Sequence, residues 1–108
     1  MPRTPLRFAG PGQLTNAAVT KYTVPAVTLS IMRHIHVTNP SGAAVTFTMS
    51  IGADAAGTRI FDGYSIAAGA ILDHFCYYVL QPAEIVQALA SVTTTLNLTI
   101  DGDQYTLG

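Results

Sequence analysis

The chain has 108 residues, a net charge of −1 and one cysteine; 49% of its residues are hydrophobic and only 10% are charged. Proteins average about 25% charged residues, so this surface is unusually neutral and offers no electrostatic footprint for nucleic acid or an anionic membrane. The lone Cys76 excludes an internal disulfide and suits a reducing cytoplasm, and no apolar run of about 18 residues predicts a membrane span.

Residues 1–18 predict an extended N-terminal arm. Pro2, Pro5, Gly10, Pro11 and Gly12 exclude a helix and a central strand. Leu6, Arg7 and Phe8 would anchor such an arm on a neighbouring subunit; fully extended, 18 residues reach about 60 Å. The segment also lacks the apolar core of a signal peptide.

Residues 19–108 fit one domain, which at this size buries roughly 65% of its unfolded surface. Val24 to Val37 reads as one long strand. Leu29, Ile31, Ile35 and Val37 share one parity, and Thr28, Ser30, His34, His36 and Thr38 the other, the period of a half-buried strand. Arg33 falls on the apolar parity and predicts a bulge near it or an edge position. Asn39-Pro40-Ser41-Gly42 is a turn, and Val45, Phe47, Met49 and Ile51 alternate after it, so the two strands are expected as a hairpin.

Gly52 to Gly57 is a loop, Thr58–Phe61 and Tyr64–Ile66 are short strands around an Asp62-Gly63 turn, and Ala70–Leu80 is a long strand. That last strand carries large side chains on both faces: Leu72, His74, Cys76 and Tyr78 on one, Ile71, Phe75, Tyr77 and Val79 on the other. Apolar residues on both faces predict cover on both faces, one by the core and one by the arm or another subunit. Glu84–Ala90 suits a short helix or a strand, and its length and all-β setting favour the strand. Leu96–Ile100 is a strand, Asp101-Gly102-Asp103 a turn, and Gln104–Leu107 a last strand. The expected fold is all-β: a single β-sandwich of jelly-roll or immunoglobulin-like type, with seven to eight short antiparallel strands.

Phosphate loops, Cys-x-x-Cys, His-Glu-x-x-His and Gly-x-Ser-x-Gly motifs are missing from the chain, and the reading is of a protein that is not an enzyme. Asp101 and Asp103 are too few acids for the six to eight oxygens of a calcium ion. His34 and His36, with His74 and Cys76, would supply four zinc ligands if their strands were adjacent and in register. The parity favours a plainer reading, in which His34 and His36 are polar-face residues at solvent or a subunit contact and the chain has no cofactor.

Tyr22-Thr23-Val24-Pro25-Ala26, Ile35 to Thr46, Gly57-Thr58-Arg59-Ile60-Phe61 and Ile66-Ala67-Ala68-Gly69 follow one another in an order that resembles small β-sandwich virion structural proteins of tailed bacteriophages, over residues 20–101. The resemblance implies a non-enzymatic capsid decoration or cement protein, or else a tail, neck or baseplate accessory protein. Its partners would be major capsid or tail proteins and copies of itself, as a trimer or ring, in a virion assembled in the host cytoplasm. Leu6, Arg7, Phe8, His34, His36, Tyr77 and Tyr78 are the expected contact residues. Gln81-Pro82-Ala83-Glu84 departs from the pattern, where a glycine turn would follow the long strand. A carbohydrate-binding module is the rival from another class. The chain has no Trp, so Tyr64, Tyr77, Tyr78 and Tyr105 would have to form the sugar platform.

Overall fold

The computed structural model describes residues 3–107; Met1, Pro2 and Gly108, which belong to the expected arm and sandwich domain, lie outside the described residues. Eight strands follow in chain order: β1 (Arg3–Gln13), β2 (Val19–Thr23), β3 (Thr28–Thr38), β4 (Val45–Ile51), β5 (Arg59–Ile66), β6 (Ile71–Leu80), β7 (Ile85–Ala90) and β8 (Asn97–Thr106). They form two four-stranded sheets, β1-β8-β3-β6 and β2-β7-β4-β5. Every pairing is antiparallel. The described residues contain no helix, and Glu84–Ala90 supplies the strand β7.

The core lies between the sheets. Met32, Ile35, Val37, Leu98 and Ile100 come from one side, and Val45, Phe47, Met49, Val86, Ala88 and Ala90 from the other. Outside the bulge in β3, each strand delivers these residues at alternate positions, because successive side chains leave opposite faces of the pleat.

The segment expected as a free arm is extended, but over Arg3–Gln13 it is the edge strand β1, paired with β8 from Arg3↔Tyr105 to Gln13↔Asn97. The edge tolerates its prolines, which lack the amide a central strand needs. The register shifts twice between Arg7 and Gly12, around Gly10-Pro11. Phe8 turns into the core and stacks on Tyr22 of β2, with ring centroids 4.2 Å apart. The Tyr22 hydroxyl shares a hydrogen bond with Ser30 (2.7 Å) and accepts one from Gln104 (2.6 Å). This polar link joins β2 to β3 and β8.

Four expectations about local structure are corrected. The long strand expected from Val24 begins only at Thr28 (β3), because Val24 to Val27 form a break after β2 in which Val27 takes a positive φ of 54°. β3 and β4 are not a hairpin, because they lie in opposite sheets and Asn39-Pro40-Ser41-Gly42 carries the chain from one sheet to the other. Asp62-Gly63 does not end a strand; Gly63, at φ 64°, sits within β5, where the pairing with β4 shifts register. Asp101-Gly102-Asp103 is the middle of β8, not a turn.

The bulge expected at Arg33 is present, between Met32 and His34. It inverts the parity of β3: before it Ser30 and Met32 are fully buried, and after it Ile35 and Val37 are. Buried Asn39 then fastens the crossing between the sheets. Its side-chain amide donates to the carbonyls of Ala43 (2.8 Å), Ile66 (2.9 Å) and Ala67 (3.3 Å), and its oxygen accepts from the Ser41 hydroxyl (2.7 Å).

Candidate functional site

The outer face of the β1-β8-β3-β6 sheet gathers most of the chemistry-bearing side chains. With Ile35 and Val37 facing the core, His34 and His36 are turned to the outside, half-buried. β6 lies alongside in register, with Asp73 opposite His36 and Phe75 opposite His34. Asp73 Oδ1 is 2.5 Å from His36 Nδ1 and 3.0 Å from His34 Nε2. Hydrogen bonds from His36 and then His34 hold the Asp73 carboxyl below the usual carboxylate range. The three ligand-type atoms lie within 4.8 Å of one another.

Neighbours fix this cluster. The Phe75 ring stacks on His34 with centroids 4.3 Å apart and planes 5° from parallel. Asp101 of β8 places Oδ2 4.0 Å from His34 Nδ1, and its other oxygen is 4.0 Å from the Arg7 guanidinium of β1. Beside His36 opens a groove of about 540 Å³, lined by Pro11, Gly12, Gln13, Thr38, Asn97 and Thr99 as well.

The expected four-ligand zinc set does not form. β3 and β6 are adjacent, as it required, but His74 and Cys76 face inward while His34 and His36 face outward. His74 packs edge-on against Phe61, 5.1 Å between centroids, and its Nε2 lies 3.3 Å from the Tyr78 hydroxyl. Cys76 donates to the Met32 carbonyl, and burial pushes its thiol up to about 11. Asp73 is the partner that sequence reasoning missed. Its signal was present: it is the one acid of the long strand and has the parity opposite to His74 and Cys76.

Asp101 and Asp103 do not converge as calcium ligands. Asp103 is buried and accepts from the Arg33 guanidinium at 3.1 Å, whereas Asp101 is half-buried and turned toward Arg7. The expected contact residues also divide. Leu6 and Arg7 are exposed on β1, and Phe8 is in the core. Tyr77 faces out under the Arg33 guanidinium, 5.2 Å from ring centroid to charge, while Tyr78 faces in.

β6 is the free edge of its sheet. Its outward residues Ile71, Phe75, Tyr77 and Val79 are between 46% and 78% exposed. Large apolar side chains grouped this way on one strand are unusual on a surface left in water. The arm does not cover them, because β1 occupies the opposite edge of the same sheet. The chain matches no protein-family model and no curated protein sequence.

Proposed function

We propose that this chain is a non-enzymatic virion structural protein of the tailed-bacteriophage type, a capsid decoration protein that packs symmetrically on the particle. The observation that carries the reading is β6, an unpaired sheet edge bearing an outward apolar stripe. An unpaired edge offers amides and carbonyls to another strand, and the stripe supplies apolar area for that strand's side chains to cover. A second copy of β6, antiparallel to the first, meets both needs with one symmetric contact. Repetition on a shell then lets weak contacts hold, because each subunit's second contact is effectively intramolecular. The same surface would serve a tail, neck or baseplate position.

The sandwich is assigned to the jelly-roll type. Each sheet draws strands from both halves of the chain, in the orders β1-β8-β3-β6 and β2-β7-β4-β5. Two Greek keys wound together give such an eight-strand arrangement, whereas an immunoglobulin sandwich distributes strands differently.

A second reading, carbohydrate binding, draws on the groove with its amide and hydroxyl lining from Gln13, Asn97, Thr38 and Thr99. Its lining includes no Phe, Tyr or Trp ring, and such rings form most sugar platforms. The two readings separate in a density gradient of lysate from cells that produce the chain with its phage. The virion role puts the chain in the particle band; a chain confined to the soluble fractions that also binds a glycan array would replace it with the carbohydrate reading.

A further inference from the structure

We propose that His34, His36 and Asp73 bind one divalent transition-metal ion of the zinc class on the outer face of the sandwich. Two imidazole nitrogens and one carboxylate oxygen are the donor set of three-ligand zinc sites that leave a fourth position open. The set is too poor in oxygen for calcium and too rich in nitrogen for magnesium. The sheet provides the convergence: His34 and His36 are two residues apart on β3, and Asp73 is held opposite His36 by the β3–β6 pairing.

Tetrahedral zinc ligands sit about 3.3 Å from one another, and Asp73 Oδ1 is 2.5 and 3.0 Å from the two ring nitrogens. All three atoms lie within 4.8 Å of one another, so a retreat of less than about 1 Å by the exposed carboxylate, with the two ring nitrogens settling at the same spacing, would admit the ion, which would replace the protons now bridging these atoms. The surroundings already define His34. Phe75 stacked on the ring fixes its plane, and Nε2 is the nitrogen turned toward Asp73, while Nδ1 is turned toward the Asp101 carboxylate 4.0 Å away. The open position faces solvent beside the groove that His36 lines and would hold water.

This inference does not rest on the assembly reading. Its test is calorimetric titration of Zn²⁺ into the tag-free full chain, with Mg²⁺ alongside. The expected result is saturable uptake of one Zn²⁺ per chain, no uptake of Mg²⁺, and a thermal midpoint raised by Zn²⁺ and restored by EDTA. His36→Ala and Asp73→Ala abolish uptake while still unfolding cooperatively in EDTA, since all three side chains lie outside the core. Cys76→Ser keeps uptake, because Cys76 faces the other side of the sheet. Absence of saturable uptake by the folded wild-type chain, or uptake unchanged in His36→Ala and Asp73→Ala, would overturn the proposal.

Discussion

Gly102 of β8 lies directly under the ring of Phe8 from β1: a Cβ built at position 102 would be 2.7 Å from two ring carbons and 2.1 Å from the Ile31 carbonyl oxygen. The glycine marks a close approach of three strands and not a turn. Gly102→Ala should therefore lower stability by roughly 3 kcal/mol or more, since the obstructing atom is backbone and cannot rotate away. Gly57→Ala, where a Cβ meets open space, should stay within about 0.5 kcal/mol of wild type. Urea unfolding of the two variants checks the contrast.

Asn39 should be the costliest polar residue to replace. Asn39→Ala leaves the Ile66 carbonyl without its buried side-chain donor and frees two more carbonyls. The expected loss is roughly 2–4 kcal/mol. Asn39→Asp should be no better despite its shape, because a carboxylate cannot donate to three carbonyls. A thermal midpoint for Asn39→Asp close to wild type would contradict this role.

Cys76 should be inert in the folded protein. Its thiol is pushed up to about 11 by burial and donates to Met32, so little nucleophilic thiolate exists at mildly alkaline pH. A chromogenic disulfide reagent should label it slowly in buffer and rapidly in denaturant. Equal rates in the two conditions would refute the burial argument.

Acid should weaken the β4–β5 loop. The Arg59 guanidinium binds Asp54 through both carboxylate oxygens, at 2.9 and 3.2 Å, and that hydrogen bonding holds the Asp54 carboxyl below its ordinary value. A carboxyl lowered on folding contributes stability that is present above its unfolded pKa of about 3.9 and fades as pH falls from there through the folded value. Thermal midpoints of wild type should thus drop more steeply below about pH 4 than those of Asp54→Asn. Parallel curves would show that the pair contributes nothing measurable.

Most individual strands were legible because alternation is local. Val45, Phe47 and Met49 on β4 and the two-sided pattern of β6 point where their parity said. Arg33 on an apolar parity announced the bulge, but not that burial would invert and bring Ser30 and Met32 inside. Pairing was not legible. Asn39-Pro40-Ser41-Gly42 specifies that the chain turns, and says nothing of whether it returns to the same sheet. Glycine before or after aspartate read as a turn at 101–103, while the contact that requires Gly102 comes from Phe8, far away in the chain. The site failed for the same reason. His34 and His36 were visible as a pair, but their partner Asp73 is 37 residues from His36, and only the β3–β6 register brings it there.

On the proposed reading, β6 is a contact surface between copies of this chain. Light scattering of the full chain during size exclusion tests it most directly. The expected mass is a multiple of 11.4 kDa that falls to the single-chain value in Phe75→Lys, a substitution on the exposed face that leaves the core untouched. A wild-type mass of one chain at every concentration, or a multimer indifferent to Phe75→Lys, would contradict it.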